Sequence, residues 1–148
     1  MSNEQEIKDL FEQWKNNLQR KNFEALIKNY APDFIGFDVK ENIEGPLAYK
    51  ALWEKCAPYF DTPEPQYKNI KLEITDNMAA MYGLTRMTGM NLPEEMKNSP
   101  MAKSWLRLTV VYKKIDGLWK VLHEHVSYPV DCENEKPAYI LDEKDVEA

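Results

Sequence analysis

Histidine and cysteine are scarce in this chain, with two of each among 148 residues. Cys56 and Cys132 have no motif spacing, which excludes a disulfide scaffold and suits free thiols in a reducing cytoplasm. His123 and His125 stand alone, with no third histidine and no HExxH. Two imidazoles at i and i+2 would need Asp38 or Cys132 to complete a metal shell, so no metal is expected, and no cofactor. Apolar runs are short. None approaches the roughly 20 residues of a membrane span. The start, MSNEQEIKDL, lacks the basic and apolar regions of a signal peptide. Basic residues are the minority, 19 Lys and Arg against 25 Asp and Glu, for a net charge of −6. A nucleic-acid binder shows the opposite sign, and an anionic membrane would repel such a chain. The expectation is a cytoplasmic protein with neither nucleic acid nor membrane as partner.

Apolar residues are plentiful at 43%, including four tryptophans, eight tyrosines and five phenylalanines. A chain of this length suits one domain and removes roughly 70% of its unfolded surface from water. Ile7, Leu10, Phe11, Trp14 and Leu18 fall on one face of a first helix, and Ser2 with Gln5 has capping-box spacing. A shorter helix runs from about Asn22, with Phe23, Leu26, Ile27 and Tyr30 inward, and Pro32 stops it. Phe34–Val39 reads as a short strand. Gly45-Pro46 opens a third helix, and Pro58, Pro63 and Pro65 end it in a loop. The period then changes to two. Ile70, Leu72 and Ile74 lead through Asp76-Asn77 into a central strand, Met78–Met90. A loop, Asn91–Lys103, precedes strands Ser104–Ile115 and Leu118–Tyr128, which Asp116-Gly117 joins as a hairpin. The expected fold is α+β: three N-terminal helices packed in a cone-like, curved, mainly antiparallel sheet. Residues 1–130 form the domain, and 131–148 an acidic, loosely held tail. The cone between helices and sheet is a natural ligand pocket.

The tract from Trp105 to Pro129 resembles the last two strands of the nuclear transport factor 2-like superfamily, which includes ketosteroid isomerases and SnoaL-like polyketide cyclases. Asp116-Gly117-x-Trp119 followed by His123-x-His125-x-Ser127 is similar, in particular, to the association domain of calcium/calmodulin-dependent kinase II. The order of segments over residues 2–129 agrees. This superfold hosts enzymes, binding proteins and assembly modules alike. The isomerase resemblance implies a proton-shuttling base at Asp38. Isomerases also use a tyrosine of the first helix and a protonated acid of a late strand. Here the first helix offers Trp14 and no tyrosine, and no acid lies between Trp105 and Tyr112. Steroid isomerisation by that machinery is therefore not expected. The kinase domain's pocket arginine falls at Val110, which leaves Arg107 and Arg86 as other arginines.

His123 and His125 share one strand face, with Glu124 opposite. They read either as acid/base or pocket-wall groups or as histidines bonded into the sheet or a subunit contact. Arg107, alternating with Trp105, reads as a clamp for an oxyanion or as half of a salt bridge. Asp38 reads as a base in a dry pocket or as a strand-end carboxylate. Tyr30, Trp53, Tyr59, Arg86 and Trp105 are candidate pocket-wall residues. Counting outward from the Asp116-Gly117 turn sets Arg107 opposite Val126, away from the histidines. A one-residue bulge would move it to their face.

The leading expectation is a SnoaL-like protein binding a small apolar or carbonyl-containing ligand, as a homodimer. If it is an enzyme, it transfers a proton next to a carbonyl, as an isomerase, cyclase or dehydratase. Asp38 or a histidine would then be the base, and Arg107 the oxyanion partner. The alternative is a non-catalytic association module.

Overall fold

The structure, a computed structural model, describes residues 2–146. Its order is α1 (Asn3–Gln19), α2 (Phe23–Leu26), β1 (Tyr30–Phe37), β2 (Asn42–Glu44), α3 (Pro46–Cys56), a 3₁₀ turn (Ala57–Tyr59), β3 (Phe60–Ile74) and β4 (Met78–Met90). Two short helical turns follow, α4 (Glu94–Lys97) and α5 (Pro100–Lys103), then β5 (Leu106–Ile115) and β6 (Leu118–Ser127). The tail holds β7 (Val130–Asp131), β8 (Lys136–Pro137) and α6 (Glu143–Val146). Among the described residues, no helix is long and apolar enough to cross a membrane.

Local chemistry accounts for the helices. Ser2 Oγ accepts from the Gln5 N–H at 3.1 Å, satisfying one free donor of the first turn of α1. Asn22 does the same for α2 through the Ala25 N–H. Pro46 occupies the first turn of α3, where its missing N–H costs nothing. The stripe of α1 buries Ile7 and Leu18 and turns Leu10, Phe11 and Trp14 to the core.

One mixed, curved, unclosed sheet of six strands runs in the order β2-β1-β6-β5-β4-β3. All neighbours are antiparallel except β1 and β6. The α+β expectation therefore holds, and three differences have physical reasons. β1 begins at Tyr30 and includes Pro32, which was expected only to stop a helix. The β1–β6 ladder shifts between Tyr30 and Ile35, so no regular ladder bond is demanded of Pro32. β3 starts ten residues early, at Phe60, and absorbs Pro63 and Pro65. It is the edge strand, where a proline's missing donor faces no partner. β2, too short to show a period, was not expected at all.

The tail is held more firmly than expected. Trp105 and Ile140 form a β-bridge. The Trp105 indole N–H donates to Asp142 Oδ1 at 2.9 Å, and Arg86 Nη1 lies 3.0 Å from Asp142 Oδ2.

The β5–β6 hairpin decides which side chains face the helices. From Ile115↔Leu118 to Tyr112↔Val121 it pairs in strict register. The next pair is Val111↔His123, so Leu122 is an extra residue, a bulge. Beyond it every β6 side chain is reversed relative to the strict count.

Candidate functional site

Between the helices and the inner face of the sheet lies a cavity of about 260 Å³. The inner residues of β5, Leu108, Val110 and Tyr112, form its back wall. Leu10, Phe11 and Trp14 of α1 form the front, with Tyr49, Leu52 and Trp53 of α3 beside them. Trp14 and Trp53 meet edge to face with centroids 5.9 Å apart. Their indole N–H groups are shielded from solvent and have no hydrogen-bond partner, so each leaves an unspent donor at an otherwise apolar wall.

Into this apolar space β6 projects Glu124, which the Leu122 bulge has turned inward. The Tyr30 hydroxyl of β1 donates to Glu124 Oε1. Tyr30 stacks on Tyr49 at 4.8 Å, which brings the Tyr49 hydroxyl close to the same carboxylate. Gly36 stands beside Glu124 in the parallel ladder. Burial pushes the Glu124 carboxyl up from an ordinary 4.5 to about 7. The tyrosine hydroxyls beside it pull it back only in part, and the Asp38 charge adds to the rise. The same burial, reinforced by Glu124, raises the Tyr30 and Tyr49 hydroxyls well above their usual value, so both remain protonated donors.

Asp38 follows β1 and also lines the cavity. Partial burial raises its pKa, a hydrogen bond from the Val39 N–H opposes the rise, and Glu41 adds to it. Cys56, at the end of α3, lines the same region; burial and then Asp38 push its thiol up.

Of the expected site residues, Asp38, Tyr30 and Trp53 meet in the cavity. His123, His125 and Arg107 do share a face, but it is the outer one, so the expected cluster of these groups in the pocket is corrected. The bulge brings Arg107 opposite Ser127, Thr109 opposite His125 and Val111 opposite His123. Arg107 donates to Ser127 Oγ and the Tyr128 carbonyl. His123 Nδ1 lies 2.6 Å from the Ile35 carbonyl, which can only accept, so this nitrogen carries the proton. Phe37 sits against both imidazoles at 4.9 and 5.3 Å. Trp105 alternates with Arg107 and is likewise outside, beneath the tail. Arg86 contributes to the cavity wall, but its guanidinium lies over Trp105 at 4.3 Å. Tyr59, on the 3₁₀ turn, is 46% exposed and is not part of the wall.

Glu124 and Tyr49 are the site residues that the sequence reading passed over. One signal was present. Trp119 and Val121 put the apolar side of β6 on odd positions, whereas Val126 puts it on an even one. That change of parity marks a bulge.

The profile of the SnoaL-like domain matches residues 7–131. The chain belongs to the SnoaL-like family. Solved structures share its fold. A nuclear transport factor 2-like protein of unknown function from Pseudomonas putida KT2440 is 27% identical, with a TM-score of 0.76 over 96% of this chain and 99% of that one. A candidate calcium/calmodulin-dependent protein kinase II association domain from Xanthomonas campestris is 21% identical, with a TM-score of 0.66 over 86% and 88%. A candidate scytalone dehydratase from Novosphingobium aromaticivorans DSM 12444 is 17% identical, with a TM-score of 0.66 over 82% and 80%. The last two share the fold. No functionally curated protein matches the chain.

Proposed function

We propose that this SnoaL-like protein binds a small, largely apolar molecule in the cone and moves a proton at a carbon next to its carbonyl. One observation carries the reading: a carboxyl raised to about 7 and bonded to a phenol at the wall of an apolar cavity. Two carboxyls whose surroundings separate their pKa values divide acid from base. Asp38, half-buried at the cavity wall with its pKa raised by burial, is the carboxylate that takes the proton. Glu124, partly protonated at neutral pH and held at Oε1 by the Tyr30 hydroxyl, donates its own proton toward the developing enolate oxygen. The proton leaves carbon for the Asp38 carboxylate and returns from it at the same or a neighbouring carbon. The candidate dehydratase among the structural neighbours is consistent with a small-molecule site in this fold.

The test is exchange of the α-protons of 2-tetralone in deuterated water, followed by NMR. The protein should accelerate exchange, and Asp38→Asn should remove roughly 100-fold or more of that acceleration. Exchange at the uncatalysed rate would overturn the reading.

The outer face supports a homodimer as a second, compatible proposal. Ile35, Phe37 and Val39 are 45%, 39% and 50% exposed beside His123 and His125. Contiguous apolar surface of this kind is usually covered. Light scattering should give twice the chain mass, and Phe37→Asp should halve it. A monomeric wild-type protein would end this proposal.

A further inference from the structure

The charged groups of the cavity that are not already paired are of one sign. Asp38 and Glu124 both line it. Among the described residues of its wall the one basic side chain is Arg86, and that guanidinium is already engaged. Its Nη1 lies 3.0 Å from Asp142 Oδ2, its Nε donates to Gln66 Oε1 at 2.9 Å, and its plane covers Trp105. An anionic ligand would thus meet two carboxyls in a low-dielectric space and find no free counter-charge.

The rest of the wall suits the opposite charge. Trp14, Tyr30, Tyr49, Trp53, Tyr67 and Tyr112 approach the cavity from α1, β1, α3, β3 and β5. Aromatic rings attract cations through their quadrupoles, most strongly where water is excluded. Aromatic walls with carboxylates behind them are how proteins hold ammonium groups, which need charge compensation without strong desolvation.

We propose that the cavity takes an organic cation: a protonated amine or quaternary ammonium carried on a compact apolar body. This rests on the reading of the cone as a small-molecule site, and it names the class of molecule. It also fits the proposed chemistry, because a positive charge on the ligand acidifies a neighbouring C–H and eases its transfer to Asp38.

The groups facing Glu124 explain why a cation fits there. Tyr30, Tyr49, Tyr67 and Tyr112 surround it from β1, α3, β3 and β5, and Asp38 adds a like charge. Glu12 of α1, felt at Tyr67, has the same sign. None of these supplies a positive charge, so the carboxyl retains its proton to about pH 7. A bound cation supplies the missing charge and expels that proton.

One scaffold in three charge states tests the proposal: 2-aminotetralin as the cation, 2-tetralol as the neutral form and tetralin-2-carboxylate as the anion. Calorimetry at about pH 7 should rank them cation, neutral, anion, with the cation roughly 10-fold or more tighter than the alcohol. Repeating the amine titration in phosphate and in Tris should reveal proton release, which the alcohol does not show. Glu124→Gln should weaken the amine roughly 10-fold and abolish that release, while leaving the alcohol within about twofold. Asp38→Asn, tested beside it, should weaken the amine in the same direction if Glu124→Gln fails to fold. Alcohol or carboxylate binding as tightly as the amine overturns the cation inference, as does amine binding without proton release. If 2-tetralone still exchanges its protons in that case, the small-molecule reading stands without the cation. If no probe binds and no exchange occurs, both fall.

Discussion

Glu124 is a group whose ionisation the fold resists, and this fixes the sign of its contribution to stability. Its folded pKa is raised, from 4.5 to about 7. Stability from such an acid is fully present below the lower value and is lost as pH rises through the upper one. Between these limits the wild-type protein should lose ~3 kcal/mol on this account. Glu124→Gln removes the titration and keeps the shape. Urea unfolding should therefore give equal stability for the two proteins near pH 4 and a more stable variant above about pH 7. Parallel stability profiles across this range would show that the carboxyl is solvated. A stability gain at high pH coupled to lost proton exchange is the trade expected where function holds a group in an unfavourable setting.

At the scale of elements, the edge pairing of β3 with β4 contains its own strict requirement. Gly89 has φ +70°, and a Cβ there would lie 1.9 Å from the Thr62 carbonyl oxygen. The two strands meet irregularly between Phe60 and Glu64, and this close approach is part of that irregularity. Gly89→Ala combines a left-handed backbone with a clash against backbone, so thermal unfolding should show a loss of about 2–4 kcal/mol. Gly117, also left-handed at φ +79° but with nothing within 4 Å, should tolerate Ala with a loss nearer 1 kcal/mol. Similar losses at the two sites would rule out the steric account.

Much of this architecture could be read from residues alone, because it rests on local chemistry. Ser2, Pro46, Asp116-Gly117 and the period-two run from Ile70 each act on near neighbours. Central strand β4 was placed at Met78–Met90, as observed. What could not be read depended on distant partners. Pro63 and Pro65 look like loop residues until β3 is known to be an edge. The inward direction of Glu124 depends on a single inserted residue, Leu122, in a ladder with β5. Period-two counting is only as good as its register, and one slip exchanges the two faces. Asp38 and Tyr30 flank or belong to β1 and escaped this uncertainty, whereas His123, His125 and Arg107 did not.

The molecule as a whole is closed from both ends of the sequence. Asp142 bridges Trp105, Arg86 and Lys68, the last at 3.6 Å, and so anchors the tail to the outer side of the sheet opposite the cavity. Those three groups draw its pKa down, the Trp105 hydrogen bond most strongly among them. Asp142→Ala should release the tail and expose Trp105, visible as a red shift in tryptophan emission and faster proteolysis near Ile140. Unchanged emission would mean that the Trp105–Ile140 bridge suffices. The parallel pairing of β1 with β6 has a consequence for synthesis. Tyr30 and Glu124 are 94 positions apart, and β6 must emerge before β1 gains its inner neighbour. At about 5–20 residues per second, the helices wait roughly 5–20 s with their apolar stripes uncovered. The hairpins of β3 to β6 form from local contacts, and the ribosome delivers the docking strand after every other strand of the six-stranded sheet. The Tyr30–Glu124 hydrogen bond is thus a late latch between strands far apart in the chain, and a chain stalled before β6 has no cavity yet.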